Sequence, residues 1–142
     1  MKNIFSIFTI FLYSICNCYS QIDSKIRFEI DEYASKVDST IDKFGYAFNI
    51  GCGDWGSQSN YYDSIQTYKI ERTLFIKELV VTTKQYFKNS SPLLTLIQCN
   101  ENNTAIYTRR IYQQNKYKFD ETIVGKIRNL PRQARKGIKK VL

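Results

Sequence analysis

The chain has 142 residues, the size of one ordinary domain, and its 43% hydrophobic and 15% aromatic content is typical of a chain that folds. Its 21 Lys and Arg residues against 13 Asp and Glu residues give a formal net charge of +8 at pH 7. The chain contains no His, which excludes a Ser-His-Asp triad, a Cys-His pair and any His metal ligand.

Residues 1–20 have the pattern of a secretory signal peptide. Lys2 supplies a positive start, a mostly apolar stretch follows, and small residues stand three and one positions before a cut ahead of Gln21. The apolar stretch is shorter than the roughly 20 residues of a membrane span. An N-terminal anchor or a buried strand is the alternative interpretation. The pattern predicts an exported protein, periplasmic or extracellular, and leaves lipidation at Cys16 or Cys18 open.

Cleavage at this point would remove two of the four cysteines and leave Cys52 and Cys99. In an exported protein, two remaining cysteines favour a disulfide. We therefore predict a Cys52–Cys99 bond, with two free buried thiols as the alternative. Neither cysteine is a candidate nucleophile, because no His is present to activate its thiol.

Apolar residues recur every three or four positions across 22–44, which predicts an amphipathic helix with one buried stripe. Asp23 is a candidate cap at its start, and Gly45 follows its end. Such a stripe needs a partner surface, most simply a sheet. Its members are Ile22, Ile26, Ile30, Tyr33, Val37, Ile41 and Phe44.

Residues 45–63 carry four of the six Gly residues among several aromatic residues, which predicts a long loop with one short strand at 46–50. The predicted disulfide at Cys52 would hold the base of this loop. Trp and Tyr are common anchors of protein interfaces. In the alternative interpretation, Trp55 plugs the end of the sheet and the Gly residues serve turns. The candidate ligand-binding residues of the loop are Asp54, Trp55, Tyr61 and Tyr62.

Residues 64–119 alternate between strand-like runs and turn clusters, which predicts an antiparallel meander. Apolar residues within 73–87 also fit a helical spacing, so a helix there is the alternative to a strand. The strand-like runs are 65–70, 74–83, 93–99, 105–112 and 117–119.

Residues 120–142 predict a basic amphipathic helix that Pro131 should kink or divide. The exposed face of this helix is a candidate contact for anionic lipid or another anionic component of a cell envelope. The alternative is a solvated outer face of a helix that packs on the sheet. The last twenty-one residues hold no acid and seven bases, namely Lys126, Arg128, Arg132, Arg135, Lys136, Lys139 and Lys140.

The segment 106–112 reads Ile-Tyr-Thr-Arg-Arg-Ile-Tyr and is followed by Gln-Gln-Asn-Lys. It resembles a strand of small exported bacterial proteins of unknown function. This resemblance implies an α+β sheet and a bacterial envelope setting, and it implies no activity. Mixed aromatic and basic side chains also occur in single-strand nucleic-acid binders, but export makes nucleic acid the weaker partner. The candidate binding residues of the strand are Tyr107, Arg109, Arg110 and Tyr112.

Together these patterns predict a signal peptide followed by one α+β domain at 21–142. In that domain an N-terminal amphipathic helix packs on a four- or five-stranded antiparallel sheet, and a basic helix ends the chain. We expect a non-enzymatic binding or inhibitor-like protein, without cofactor or metal, that recognises a protein or an anionic envelope component. One alternative is a peripheral protein that docks on anionic membranes through its C-terminal helix. Another is a small hydrolase with paired carboxylates among Asp54, Asp63, Glu71, Glu78 and Glu101.

Overall fold

The computed structural model describes residues 24–51, 56–115 and 117–141, with side chains up to Lys139 in the last helix. The predicted signal peptide lies outside the described residues. Helix α1 is described over 24–39 and is followed by a 3-10 turn at Ile41–Lys43. A second 3-10 turn, Ile127–Asn129, leads to helix α2, Arg132–Val141. The strands are β1 Gly45–Ile50, β2 Ser57–Tyr62, β3 Thr67–Ile76, β4 Leu79–Lys88, β5 Ser91–Glu101, β6 Thr104–Gln114 and β7 Tyr117–Val124.

The seven strands of the described residues form one sheet, in which each strand pairs antiparallel with its neighbours in sequence. The α+β class and the antiparallel sheet are confirmed, but the predicted four or five strands are too few. The sequence predicts a loop in place of β2, because Ser-Gln-Ser-Asn-Tyr-Tyr lacks apolar alternation. The predicted strand 74–83 is in fact divided by a turn at Lys77–Glu78, which contains neither Gly nor Asn. The alternative prediction of a helix at 73–87 is wrong, because these residues form parts of β3 and β4.

Two hairpin turns have the backbone conformation of tight antiparallel connections. Asn89 and Ser90 both have positive φ (52° and 61°), and so do Asn102 and Asn103 (48° and 64°). Positive φ at both central residues is typical of a type I′ turn, whose twist matches that of the flanking strands. Asn adopts this conformation more readily than most residues. The turn clusters predicted between the strand-like runs 74–83, 93–99 and 105–112 are therefore confirmed at these two places.

The two helices pack on opposite faces of the sheet. We call the face under α1 the front and the face under α2 the back. On the front, Ile30, Ala34 and Val37 of α1 pack with a cluster that includes Tyr86 and Tyr112. A buried stripe in the first predicted helix is confirmed at Ile30 and Val37, but the helix ends at residue 39, before Ile41. The other members of this front cluster are Leu93 and Leu94, with Ile26, Tyr33, Phe44, Tyr68, Tyr117 and Phe119 partly buried against them.

Helix α2 covers the other end of the sheet, on the back. Its Ala134 and Ile138 are buried together with Leu130, which precedes the helix. The helix starts directly after Pro131, so that proline divides the C-terminal segment as predicted. The back cluster contains Leu79, Val81, Ile97, Cys99, Tyr107, Ile111, Leu130, Ala134 and Ile138.

The described strands have four shifts of register, and three of them add apolar residues to these clusters. Each shift leaves one residue without an opposite partner, at Tyr68, Leu93, Ile106 and Ile123. Such an extra residue interrupts the strict alternation of faces. As a result, Leu93 and Leu94 both enter the front cluster, although they are adjacent in sequence. Ile106 likewise packs against the back cluster beside Tyr107.

The thiol of Cys99 is free and its side chain is fully buried in the back cluster. Burial raises the pKa of this thiol. Cys52 lies outside the described residues, in the connection between β1 and β2. Strands β3 and β4 separate that hairpin from β5, a gap of about 14 Å at the usual strand spacing. The structure therefore does not show the predicted Cys52–Cys99 disulfide, and the thiol of Cys99 is free in it.

Gly125 directly follows β7, at a position where any side chain would clash with the neighbouring strand. Its φ is +70°, and a Cβ atom there would lie 2.1 Å from the carbonyl oxygen of Ile106. Gly51 provides a matched control, because its φ is +73° and a Cβ atom there would have no described heavy atom within 4 Å. The left-handed backbone alone costs about 1–2 kcal/mol for a residue with a side chain.

We expect Gly51→Ala to lower the free energy of unfolding by that amount. Gly125→Ala should lower it by about 2 kcal/mol more, because the clash with the backbone of β6 adds to the backbone strain. Urea unfolding of both variants measures the difference. Equal losses would show that the β7–α2 connection tolerates a side chain at Gly125.

Candidate functional site

A buried ammonium group fastens α1 to the front of the sheet. The side chain of Lys69 on β3 is 5% exposed, and its Nζ lies 2.8 Å from Asp38 Oδ1 and 3.1 Å from Glu71 Oε2. The hydroxyl of Tyr86 donates to the other oxygen of Asp38 at 2.8 Å. Asp38 belongs to α1, and its carboxylate binds Lys69 on β3 and Tyr86 on β4. One carboxylate therefore holds this helix to two strands. The rings of Tyr61 and Tyr86 lie 5.4 and 5.6 Å from the same Nζ.

The pKa directions in this cluster describe a fixed set of charges. Burial opposes the charged form of Lys69, but hydrogen bonds and charges from Asp38 and Glu71 outweigh it and raise the pKa of this lysine. Burial, followed by the hydrogen bond and charge of Asp38, raises the pKa of Tyr86. Lys69 therefore stays protonated and Tyr86 stays neutral around pH 7. The cluster therefore has a structural role, since the pKa values of Lys69 and Tyr86 do not favour proton exchange near neutral pH.

A second polar cluster holds the start of α1. The hydroxyl of Tyr112 donates to Asp31 Oδ2 at 3.2 Å and accepts from Arg110 at 3.3 Å. Arg110 also lies 3.6 Å from Asp31. On the neighbouring strand, Glu121 lies 3.5 Å from Arg27 of α1. The front of the sheet is thus joined to α1 by charged groups along one side of its buried stripe.

The predicted binding strand does not form one accessible surface. Tyr107 and Tyr112 are each 1% exposed, in the back and front clusters respectively. Arg109 hydrogen-bonds Asp120 through both Nε and Nη2, and these bonds lower the pKa of Asp120. Arg110 is engaged on the opposite face. Alternation along β6 therefore divides these four side chains between two faces, and both tyrosines are core residues.

The carboxylates proposed for catalysis lie in three places of the described structure, and Asp54 lies outside the described residues. Asp63 accepts the backbone N–H groups of Ile65 and Gln66 and the hydroxyl of Tyr68, so it closes the turn before β3. Glu71 belongs to the Lys69 cluster. Glu78 and Glu101 line a shallow groove of about 510 Å³ that Arg132 also lines. Among the described residues, no three Cys, Asp or Glu side chains converge as a metal site would require.

Edge strand β1 carries three exposed apolar side chains. Tyr46, Phe48 and Ile50 are 54%, 48% and 79% exposed. They alternate along the strand and share the front face, since Tyr46 pairs with Tyr61, which pairs with Lys69. The rings of Tyr46 and Phe48 are stacked, with centroids 6.2 Å apart. We call these three residues the β1 strip.

The main chain of the same three residues faces the open edge. Gly51 N–H donates to Gly56 O at 2.9 Å, which makes this pair a hydrogen-bonded one. Hydrogen-bonded and non-hydrogen-bonded pairs alternate along an antiparallel ladder. Residues 45, 47 and 49 therefore bond β2, while the N–H and C=O groups of the β1 strip point away from it. Within the described residues, β1 has β2 as its one strand neighbour.

The predicted binding loop is the tip of the β1–β2 hairpin. Asp54 and Trp55 lie outside the described residues. Tyr61 is partly buried against Tyr46, with ring centroids 5.2 Å apart, and Tyr62 is exposed. Sequence reasoning missed the β1 strip, because a Gly-Tyr-Ala-Phe-Asn-Ile segment does not reveal that its strand lies at an edge. That position follows from the strand order alone.

The predicted basic surface is present on α2 and on the segment before it. Lys126, Arg128, Arg132, Lys136 and Lys139 are exposed, and none of them lies within 4 Å of a carboxylate of the described residues. Arg135 is partly buried, and the Lys140 side chain lies outside the described residues. These cations therefore face solvent.

Comparison with protein-family models, with curated proteins and with solved structures finds no match for this chain. Within the described residues, neither helix is long and apolar enough to cross a membrane. Two exposed surfaces of the described residues are candidates for contact with a partner, namely the β1 strip and the basic face of α2.

The contacts of Lys69 predict a larger loss of stability on its replacement than on replacement of the neighbouring Lys84. We expect Lys69→Met to lower the free energy of unfolding by about 2 kcal/mol, because it leaves Asp38 and Glu71 without their shared cation. This is less than the roughly 3–5 kcal/mol of fully buried pairs, since water reaches Asp38. Lys84→Met is the matched control, because its Nζ lies 3.9 Å from the same Glu71 and is partly exposed.

The control should change the free energy of unfolding by less than about 0.5 kcal/mol. Chemical denaturation of both variants at neutral pH gives the comparison. Similar losses for the two variants would contradict the claim that the Lys69 ammonium stabilises the contact between α1 and the sheet.

Proposed function

We propose that this protein is a non-enzymatic binding protein that pairs an extended segment of a partner protein with the edge of β1. The observation that carries the proposal is that free main-chain groups and exposed apolar side chains coincide on the β1 strip. Added strands gain affinity from main-chain hydrogen bonds and specificity from alternate side chains. The β1 strip supplies free main-chain groups and alternate apolar side chains on one strand.

The two edges of the sheet differ in a way that favours this role for β1. Edge strands usually carry charges, proline or irregular register that prevent pairing with other chains. Strand β7 carries Lys118, Asp120 and Glu121 and has a register shift at Ile123. Strand β1 has no charged residue, no proline and an uninterrupted register with β2. One edge is protected against pairing and the other is left open.

The surroundings of β1 fit a protein partner with apolar side chains. Phe75 on β3 is 64% exposed and lies against Gly56, at the same end of the hairpin as Ile50. The connection that contains Trp55 joins β1 to β2 at this end. An extended segment on β1 would meet the apolar side chains of the β1 strip at alternate positions along the strand. Since residues 1–20 predict export, we place this recognition in the periplasm or outside the cell.

The proposal is tested by selecting peptides from a displayed random library against the chain and measuring their affinities as synthetic peptides. Phe48→Lys should weaken binding at least tenfold, because it places a charge in the middle of the apolar strip. Phe28→Lys is the matched control, since Phe28 on α1 is 69% exposed and lies on a different element from β1. Its affinity should match that of the unchanged chain.

Two results would overturn the proposal. The first is that selected peptides bind Phe48→Lys and Phe28→Lys equally well. The second is a dimer in sedimentation that Phe48→Lys abolishes, which would assign the β1 edge to a second copy of this chain. Circular dichroism of both variants establishes that neither change unfolds the sheet.

A further inference from the structure

We infer that the outward face of α2 docks on the surface of an anionic phospholipid bilayer. This inference concerns a different face of the molecule from the β1 strip and stands independently of the proposed partner segment. It depends on the angular position of the cations, on the lack of ion pairs between these cations and carboxylates of the described residues, and on an apolar groove beside the cations.

The cations of α2 form one stripe opposite its buried residues. At 100° per residue, Arg132, Lys136 and Lys139 lie within about 60° of each other around the helix axis. Ala134 and Ile138, which are fully buried in the back cluster, lie on the other side. The helix is thus held by its inner face, and its three aligned cations are presented without disturbing the fold.

The stripe has a uniform positive charge. Within the described residues, Arg132, Lys136 and Lys139 have no carboxylate within 4 Å. Each of five other cations has at least one, namely Lys69, Lys84, Arg27, Arg109 and Arg110. No acid occurs anywhere in the last twenty-one residues. Exposed Lys126 and Arg128 extend the charge toward the start of the helix. Such a face is complementary to a surface of closely spaced negative headgroups.

An apolar groove runs beside the stripe. It has a volume of about 700 Å³ and lies between α2 and β3, with Leu74 and Ile76 among its lining residues and Lys136 and Lys139 at its side. Cations next to an apolar groove match an anionic amphiphile, in which phosphate and hydrocarbon lie close together. A bilayer surface presents this combination over an area wide enough for the whole helix.

The same residues are less suited to nucleic acid. Binders of single strands place aromatic rings beside their cations so that bases can stack. From Asp120 to the end of the chain there is no Phe, Tyr or Trp. A lipid surface needs no ring at these positions, so it fits the composition of this face better.

Co-sedimentation with vesicles tests the inference, using the chain from Gln21, which keeps every described residue. The vesicles contain phosphatidylcholine alone or with one third phosphatidylglycerol. We expect binding to the anionic vesicles only. Binding should weaken from about 0.1 M to about 1 M NaCl, as the Debye length falls from about 10 Å to about 3 Å.

The decisive comparison is between two triple variants of equal net charge. Arg132→Gln with Lys136→Gln and Lys139→Gln should weaken binding about a hundredfold, at about 1 kcal/mol or fivefold for each cation. The control changes three exposed lysines elsewhere, Lys25→Gln, Lys36→Gln and Lys118→Gln, and should lose much less. Equal losses would overturn the inference, as would equal binding to neutral vesicles. Release from the vesicles by a short oligonucleotide would overturn it in favour of nucleic acid.

Discussion

The fold depends on a change of buried face midway along its central strands. In β4, Val81 and Thr83 are buried on the back, and Tyr86 is buried on the front. In β6 the change occurs between adjacent residues, since Ile111 belongs to the back cluster and Tyr112 to the front cluster. A strand with strict alternation buries one face along its whole length. Here each helix receives apolar contacts from one end of the sheet only.

This division explains which contacts are polar and which are apolar. Helix α1 covers its end of the front with a narrow apolar stripe, and charged groups complete the contact on its flank. The Lys69 ammonium is the strongest of these contacts, because it is buried and joined to carboxylates of both α1 and β3. Replacing the cation would leave two negative groups near each other in a partly dehydrated place. The position of α1 on the sheet is therefore fixed by charge as well as by packing.

The same division determines which surfaces remain available. Two short helices on opposite faces cannot cover seven strands, so β1 and the hairpin it forms with β2 extend beyond α1. The β1 strip is exposed for this reason. On the back, α2 lies across its end with Ala134 and Ile138 inward, and its cations point to solvent. The β1 strip thus results from the incomplete cover of the sheet, whereas the basic surface is the outward face of the helix that covers its back.

The first helix and two of the hairpin turns could be predicted from the sequence. The spacing of Ile30 and Val37 predicted a buried helix stripe, and the Asn-rich turns predicted hairpins, because these signals are local. Strand β2 could not be found, since its Ser, Gln and Asn side chains carry no periodic apolar signal. Tyr107 and Tyr112 were predicted as ligand contacts, whereas they are core residues of two different faces.

The candidate site itself was beyond sequence reasoning for a physical reason. Whether a strand pairs on one side or on both depends on the order of strands in the sheet, which is a property of the whole chain. The segment around Phe48 therefore looks like any short apolar strand. Its value as a binding edge comes from the topology, while the basic face of α2 could be predicted because its charges are contiguous in sequence.

Amide hydrogen exchange of the native chain, resolved by NMR, tests the open edge of β1 without any ligand. The alternation derived from the Gly51–Gly56 pair predicts protected amides at Ala47 and Asn49, which bond β2, and fast exchange at Tyr46, Phe48 and Ile50. Protection of all five amides would show that the edge is covered. Fast exchange of all five would show that β1 does not belong to the stable sheet, and either result would contradict an open, ordered edge at β1.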